Sequence, residues 1–456
     1  MAEQVDVVVI GLGVGGEEVA GRLAAAGLSV VGVEAGLVGG ECPYWGCVPT
    51  KMMVRAAGMV ADVRRAETIA GPASIEPDWS LVATRIRAEA TDTWDDQVAV
   101  DRFVGKGGTF VRGRAKITGR GEVTVGDQVF TVRRGIVVAT GTVPSVPPIP
   151  GLAELPYWTN RGAVQAEQPP TSLVVIGGGA IGVEFAQVFS RFGTTVTLVE
   201  AADRLLPGEE PEAGRLLTEV LGAEGIDVRT GTSVARVDHD GTSFTVALGD
   251  RDVVVADRVL VATGRRAALG DLGLEAYDLA ADTPALEADD RLRAAAGLWA
   301  VGDLTGRGAF THVAMYQADI VVRDILGQDG PAASYHAVPR VTFSDPEVGS
   351  VGLTEEQARA AGLAVRIGFS QVPSSARGWM HKVGNEGIIK LVEDADRGIL
   401  VGATSVGPHG GEVLGALAVA VHARVPVVQL RSMIYAYPTF HRGIEDALRN
   451  LHPTGD

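Results

Sequence analysis

Cysteine is scarce in this 456-residue sequence, and long hydrophobic runs and a net positive charge are absent from it. Its only cysteines are Cys42 and Cys47, too few for a framework of several disulfides. No apolar run reaches the roughly 18–20 residues of a membrane helix, so we expect no membrane association. The formal net charge of −16 disfavours non-specific binding to nucleic acid. The length predicts about three domains.

The N-terminus has neither the basic segment nor the cleavage site of a signal peptide, and it leads at once into an apolar strand. We therefore expect a soluble, cytoplasmic protein. A persistent structural disulfide is disfavoured in that reducing compartment, where a cysteine pair is more often redox-active.

A dinucleotide-binding pattern lies at the N-terminus. The apolar run Val5–Ile10 predicts a buried parallel strand, followed by a glycine-rich loop at 11–16, a helix through Ala26 and a second strand that closes at Glu34. The glycines would let the backbone approach a pyrophosphate at the helix N-terminus, and the acid would accept from ribose hydroxyls. The candidate residues are Gly11, Gly13, Gly16 and Glu34.

The same pattern returns later in the chain, with a strand at 172–176, a glycine-rich loop at 177–182 and a strand at 195–199. Its candidate residues are Gly177, Gly179, Gly182 and Glu200. A plain glycine turn is the alternative for a single motif, but two motifs in the full strand–loop–helix–strand context are specific. Two dinucleotides in one chain indicate an electron relay, most simply from a nicotinamide to a flavin.

The two cysteines follow the first of these patterns. A free cysteine is often a small buried hydrophobe, and an isolated pair at this spacing would favour that interpretation. Here the pair is preceded by a dinucleotide motif and followed by Pro49 and Lys51. This context favours a redox-active pair, because a distorted turn can bring two such residues within about 7 Å.

Three further strands are predicted at 135–138, 258–261 and 298–301, and each ends in a turn. We interpret the first two turns as points where the chain leaves a nucleotide domain, with the proline-rich stretch 144–150 as a linker. The residues in the turns are Thr140, Gly141, Gly264 and Asp303.

With these motifs the sequence resembles the FAD-dependent pyridine nucleotide–disulfide oxidoreductases, a family that includes dihydrolipoamide dehydrogenase, mercuric reductase and soluble transhydrogenase. The resemblance covers essentially the whole chain. It implies an α/β fold with two Rossmann-type dinucleotide-binding domains, for FAD and NAD, and a C-terminal α+β dimerisation domain. The implied division is 1–150 with 271–335 for FAD, 151–270 for NAD(P), and 336–456 for the interface of a homodimer.

The resemblance also implies roles for individual residues. Cys47 corresponds to the thiol nearest the flavin, and Cys42 to the interchange thiol that meets the substrate. Lys51 corresponds to the lysine near flavin N5 and Glu184 to its ion-pair partner, although a solvated lysine and a helix-face carboxylate are the alternatives. The further cofactor-binding candidates are Thr140, Gly141, Gly264, Asp303, Thr311 and His312, and no metal site is predicted.

The second acidic residue bears on which nicotinamide is used. Glu200 would hydrogen-bond a ribose 2′-hydroxyl and repel a 2′-phosphate. Family members that prefer NADPH usually carry arginines just after this point, whereas here only Arg204 follows, with Asp203 beside it. The sequence therefore favours NADH over NADPH.

The chain departs from the family near its C-terminus. The disulfide reductases of the family carry a His-Pro segment there, with a glutamate five residues after the histidine. In this chain the position of the histidine holds Tyr437 and that of the glutamate holds Arg442. A phenol is a poor general base at neutral pH, although it can donate a proton. His441 lies one residue off, and a surface role is the alternative for it.

These departures leave the electron acceptor open. We expect an acceptor other than a disulfide, such as a metal ion or a quinone. The alternatives are a disulfide reductase for a low-molecular-weight thiol or lipoamide, and a pyridine nucleotide transhydrogenase. A further cysteine pair typical of mercuric reductase is missing from the sequence, and a non-enzymatic binding role would not require both cysteines with Lys51 and Glu184.

Overall fold

A mixed eight-stranded sheet, a parallel four-stranded sheet and an antiparallel six-stranded sheet are the largest sheets of the computed structural model, which describes residues 2–249 and 252–453. The mixed α/β fold confirms the predicted fold class. The chain forms two compact units. The first comprises the chain up to Thr50, Thr84–Ser145 and Arg265–Tyr335, and the second comprises Lys51–Ala83, Val146–Gly264 and the chain from His336 onward.

In the first unit, the central sheet is mixed, and Glu3–Ile10 lies in its middle, parallel to Val30–Glu34 on one side and to Gln128–Val138 on the other. Its remaining strands, together with a separate two-stranded sheet of Thr142–Pro144 and Arg265–Ala267, complete this unit. These remaining strands are Thr109–Arg112, Ala115–Gly119, Glu122–Val125, Arg293–Ala295 and Leu298–Ala300.

The long helices of the first unit pack on one face of this sheet, and the strands at 115–125 with two short helical turns cover the other face. Val7 and Val9 lie in one hydrophobic cluster, whereas Val8 and Ile10 lie in another, because successive side chains of a strand point to opposite faces. Burial on both faces explains the continuous apolar run in the sequence. The helical segments are Val14–Ala25, Glu41–Tyr44, Ile86–Ala90, Asp92–Trp94, Gln97–Gly105, Leu274–Tyr277, Asp303–Thr305 and Thr311–Leu326.

The second unit contains three sheets. A parallel sheet has the strand order Asp227–Arg229, Thr195–Val199, Ser172–Ile176, Arg258–Val261. An antiparallel sheet of three strands comprises Val234–His239, Phe244–Leu248 and Asp252–Ala256. A six-stranded antiparallel sheet has the order Pro339–Thr342, Glu347–Gly352, Ile399–Gly407, Ile388–Asp394, Val365–Gln371, His452–Pro453.

The second unit also holds most of the helices after residue 150. Two helices, Cys47–Ala66 and Trp79–Arg85, run across the division between the units. The others are Asn160–Val164, Ala180–Arg191, Pro211–Ala223, Glu355–Ala360, Val372–Ser374, Ala376–His381, Gly410–His422, Val427–Ser432, Phe440–Arg442 and Gly443–Arg449.

A buried lysine stabilises the second unit. Lys390 is 3% exposed and lies 2.9 Å from Glu210, 3.1 Å from Glu212 and 2.8 Å from Glu355. Burial opposes the charge of Lys390, but its hydrogen bonds to Glu210 and Glu355 outweigh that effect and raise its pKa. This cluster, the Lys390 cluster, therefore joins the starts of two helices to the six-stranded sheet.

No helix in the described part of the chain is both long and apolar enough to cross a membrane.

Candidate dinucleotide-binding and redox-active sites

The first glycine-rich loop has a backbone that only glycine accommodates. Gly11 has φ +92°, and a Cβ there would lie 2.5 Å from the carbonyl oxygen of Ala139. A Cβ on Gly16 would lie 2.0 Å from the carbonyl oxygen of Gly11. The loop leads into a helix whose N-cap, Gly13, contributes no side-chain hydrogen bond. The helix N-terminus is therefore open to an anion such as a pyrophosphate.

Glu34 closes this loop from the end of the neighbouring strand. Its two carboxylate oxygens accept hydrogen bonds from the backbone N–H groups of Leu12 and Gly36, each at 2.7 Å. The acid that the sequence assigns to the ribose thus also holds the loop in place.

Two polar groups of the first unit fit a bound FAD. The hydroxyl of Thr140 is buried and has no hydrogen-bond partner among the described residues. Burial raises the pKa of Asp303, which accepts a hydrogen bond from Thr142 Oγ1 at 3.1 Å. A buried polar group without a partner costs free energy unless a ligand satisfies it. Together with the glycine-rich loop at 11–16, called here the first cradle, these groups fit a dinucleotide. Gly141, at φ +63°, adjoins them.

The two cysteines lie in contact in the same unit. Gly39 and Gly40, both at positive φ, turn the chain into a short helix that carries Cys42, and Cys47 begins the next helix. The structure holds the pair as a dithiol. Hydrogen bonding to Cys47, followed by burial, raises the pKa of the Cys42 thiol. The Cys42 thiol therefore holds its proton more tightly than a free cysteine does.

Residues at the start of the helix Thr311–Leu326 adjoin the pair. The hydroxyl of Thr311 lies 3.3 Å from Cys47 Sγ. His312 stacks on Phe310, with ring centroids 5.2 Å apart. The structure thus brings Thr311 to the cysteines.

An ion pair in the second unit was predicted from the family pattern. Lys51 Nζ lies 2.6 Å from Glu184 Oε2, and the Glu184 side chain is 8% exposed. Glu184 Oε1 also accepts from the backbone N–H of Phe343 at 2.9 Å, and Lys51 lies 4.6 Å from the centroid of the Phe343 ring. These contacts hold the ammonium group one helical turn after Cys47.

The second glycine-rich loop repeats the geometry of the first. Gly177 has φ +113°, and a Cβ on Gly182 would lie 1.9 Å from the carbonyl oxygen of Gly177. Glu200 accepts from the backbone N–H of Gly178 at 2.6 Å and of Ala202 at 2.7 Å. The helix that follows has Gly179 as its N-cap, without a side-chain cap, and Gly264 has φ +109°.

Near the C-terminus, Tyr437 and Arg442 contact each other. The guanidinium carbon of Arg442 lies 5.4 Å from the centroid of the Tyr437 ring, and Arg442 pairs with Glu445 at 3.1 Å. Tyr437 is 65% exposed. His441 Nε2 lies 3.4 Å from Thr439 Oγ1.

Sequence reasoning missed several residues around these sites. Gln317 is fully buried and accepts from the backbone N–H of Gly302 at 2.6 Å, which fixes the turn that carries Asp303. Arg265 donates to Thr142 and lies 3.5 Å from Glu41. Trp94 packs beside the cysteine loop. Only Arg265 had a signal, since it directly follows the predicted turn at Gly264.

Two dinucleotide cradles and a dithiol in one α/β chain define an oxidoreductase that couples a nicotinamide to a flavin and a redox-active cysteine pair. Two family models match the chain: pyridine nucleotide-disulphide oxidoreductase over residues 5–318, and the dimerisation domain of the same family over residues 338–448. The chain belongs to the pyridine nucleotide-disulphide oxidoreductase family and is an enzyme.

Individual relatives differ in the reactions their names state. A dihydrolipoyl dehydrogenase of Thermus scotoductus is 34% identical over 98% of this chain and 97% of its own length. A mercuric reductase of Bacillus cereus is 29% identical over 97% of this chain and 71% of its own length. Among solved structures, a Cu(II) complex of the HOCl-induced flavoprotein disulfide reductase RclA from Escherichia coli has a TM-score of 0.86 and 27% identity, covering 98% of this chain and 99% of that one.

Proposed function

We propose that this enzyme uses NADH to reduce a thiophilic metal ion, with Cu(II) as the first candidate, through the Cys42–Cys47 dithiol. The observation that carries the proposal is the contact between the two thiols, which raises the pKa of Cys42. The Cu(II) complex of a structural relative and the mercuric reductases among the sequence relatives support a metal acceptor.

The proposed step balances as a two-electron oxidation of the dithiol. Two Cu(II) ions each take one electron, the two sulfurs form a disulfide, and two protons leave. The raised pKa of Cys42 means that its proton must be lost during this step. We therefore expect the rate of Cu(II) reduction to rise with pH above neutrality, as more of the Cys42 thiol ionises.

FAD, when bound, supplies the redox centre that joins nicotinamide oxidation to reduction of the disulfide. We propose that the first unit holds it through the glycine loop, Glu34, Thr140, Gly141, Asp303, Thr311 and His312. Glu184 positions Lys51 so that the ammonium group offers a positive charge next to Cys47. We propose that the second loop, with Glu200 and Gly264, binds the nicotinamide nucleotide.

NADH is proposed as the preferred nucleotide because Glu200 presents a carboxylate at the second loop. Arg204 is already engaged, donating to Pro207 O at 2.9 Å and pairing with Asp203 at 3.1 Å. A 2′-phosphate would therefore meet a negative group at Glu200 and an Arg204 whose two terminal nitrogens already have partners.

The domain organisation is proposed as before: FAD binding by 1–150 and 271–335, nucleotide binding by 151–270, and dimerisation by 336–456. The family's dimerisation model, which matches residues 338–448, supports a homodimer. We propose that the segment with Tyr437 completes the partner's site.

A second candidate is a disulfide reductase, which the relatives named dihydrolipoyl dehydrogenase favour. Against it, Tyr437 and Arg442 occupy the positions of the family's acid–base pair and pack on each other. A phenol is a weak base at neutral pH.

The test compares acceptors with the purified enzyme and NADH. Wild type is expected to reduce Cu(II), and a Cu(I)-specific chelator measures the Cu(I) that forms. Wild type should reduce lipoamide and glutathione disulfide at least 100-fold more slowly. Cys42→Ser and Cys47→Ser should each lose Cu(II) reduction while keeping reduction of a quinone, the control for intact cofactor sites. Equal rates with a disulfide would replace the proposal with the second candidate. Transfer to an NADP⁺ analogue that is faster than either would indicate a transhydrogenase.

A further inference from the structure

The segment 86–96 has an unusual backbone beside the cysteine loop. Residues Ile86–Ala90 form a single turn of π-helix, and the backbone N–H of Thr91 donates to Ile86 O at 3.0 Å. The Thr91 hydroxyl donates to the same carbonyl at 3.0 Å. Turns of this kind are rare and often occur at functional sites.

Three consecutive residues then adopt a left-handed conformation. Asp92, Thr93 and Trp94 have φ values of 47°, 59° and 59°. This conformation costs free energy in residues other than glycine, so a run of three persists only where contacts with the surrounding structure compensate for that cost. The side chains of Asp92 and Thr93 are exposed. Hydrogen bonds to Thr91 close the turn, since its hydroxyl accepts from the backbone N–H of Trp94 at 3.4 Å, and the Trp94 side chain packs on a neighbouring ring.

The turn places Trp94 on Trp45, which lies between the two cysteines in the sequence. The two indoles are stacked, with ring centroids 5.5 Å apart and an interplanar angle of 21°. Arg87, from the π-helical turn, lies 5.9 Å from the Trp94 ring centroid. The 86–96 segment thus packs against Trp45, the side chain at the centre of the cysteine loop.

The end of the same segment also holds the residues before and within the loop. The backbone N–H of Val38 donates to Asp96 Oδ2 at 2.7 Å, and the Tyr44 hydroxyl donates to Asp95 O at 3.4 Å. Asp96 is fixed in turn by Arg112 at 2.6 Å. The loop is therefore braced by the 86–96 segment at Val38, Tyr44 and Trp45.

We propose that Trp94 is a positioning residue of the Cys42–Cys47 pair, which acts by stacking on Trp45. A rigid loop keeps one sulfur at a high effective concentration near the other, which favours the intramolecular disulfide over mixed disulfides. Loss of the stack lets the loop move and makes disulfide formation less favourable. The inference rests on the proposed function only in taking the two cysteines to be a redox pair.

The test measures the thiol–disulfide equilibrium of the FAD-loaded protein in glutathione buffers. Trp94→Ala is expected to lower the equilibrium constant for forming the Cys42–Cys47 disulfide about tenfold, which is about 30 mV in potential. Trp94→Phe keeps a stacking ring and should recover most of this loss. Thr93→Gly is the matched control: it relieves the left-handed strain, so the melting temperature should rise while the equilibrium stays at the wild-type value.

An unchanged equilibrium constant in a folded Trp94→Ala variant would overturn the proposal. If that variant does not fold, a double-mutant cycle of Trp45→Phe and Trp94→Phe measures the coupling between the two rings on the same equilibrium. Coupling below twofold would also overturn it. Failure of Cu(II) reduction leaves this test intact, because a disulfide reductase would cycle the same pair. If the two cysteines are not a redox pair, wild type itself will form no Cys42–Cys47 disulfide in glutathione buffers.

Discussion

The two glycine-rich loops share one backbone geometry although they lie in different units of the chain. A Cβ on Gly11 would lie 2.5 Å from the carbonyl oxygen of Ala139, and one on Gly177 would lie 2.4 Å from that of Ala262. In each loop the acid after the second strand accepts from the backbone N–H of the residue after the first glycine. The cradle is thus built twice.

The loops differ in what surrounds the cradle. Beside the first loop, the Thr140 hydroxyl is buried and has no hydrogen-bond partner within residues 2–249 and 252–453, while its counterpart in the second unit, Thr263, has an interaction partner. After Glu34 the chain turns through glycines to the cysteine pair, whereas after Glu200 it continues to Asp203 and Arg204. The shared loop geometry therefore suits a dinucleotide in both units, and the neighbouring residues decide what chemistry accompanies it.

The largest effect is expected in the first loop. Gly11→Ala combines φ +92° with a Cβ 2.5 Å from a carbonyl oxygen, so the loop cannot keep its shape. The purified variant should contain less than a tenth of the wild-type FAD, measured by absorbance at about 450 nm against protein. Gly105→Ala is the matched control: it lies outside the loop in the same unit, its Cβ would have nothing within 4 Å among the described residues, and it should keep the wild-type FAD content. Full FAD content in Gly11→Ala would contradict the assignment of this loop.

The same substitution in the second loop should separate the two cradles. Gly177→Ala is expected to keep FAD but to raise the KM for NADH at least tenfold, because its Cβ would lie 2.4 Å from Ala262 O. Gly222→Ala lies outside the loop, in the helix Pro211–Ala223, has nothing within 4 Å of its Cβ among the described residues and should leave the KM unchanged. Steady-state kinetics with a quinone acceptor measures both. Loss of FAD with a normal KM for NADH would mean that the two loops have the opposite ligands.

The smallest effect is expected at the acid of the second loop. Glu200→Gln removes the negative charge that opposes a 2′-phosphate, so the ratio of kcat/KM for NADPH to that for NADH should rise about threefold to tenfold. The control is Asp203→Asn, because Asp203 has a side chain 84% exposed and should contribute little. A ratio unchanged by Glu200→Gln but raised by Asp203→Asn would move the determinant to Asp203.

The repeated strand–loop–helix pattern was predictable because it is local. The first strand was predicted at Val5–Ile10 and is found at Glu3–Ile10, and the strand predicted to end at Val138 begins earlier than expected, at Gln128. Glycine spacing and apolar runs carry this information along the sequence itself. The family resemblance added the Lys51–Glu184 pair, which spacing alone could not show.

The features that the sequence did not predict depend on contacts between segments that are distant along the chain. Gln317 at the Gly302 turn and Lys390 among its carboxylates have no neighbours in sequence that predict their partners. The left-handed run ending at Trp94 contains no glycine, although each such residue costs about 1–2 kcal/mol. Local propensity predicts against this turn, which is held by the hydrogen bonds of Thr91 and by the packing of Trp94 on Trp45.

The Lys390 cluster has a consequence for heat. Removing a lysine and its carboxylates from water carries a penalty that shrinks as temperature rises, while the gain from burying apolar surface levels off. The ion pairs with Glu210, Glu212 and Glu355 therefore take a growing share of the stability of this unit on warming. Near its melting temperature, the junction between its two helix starts and the six-stranded sheet should be among the last parts to separate.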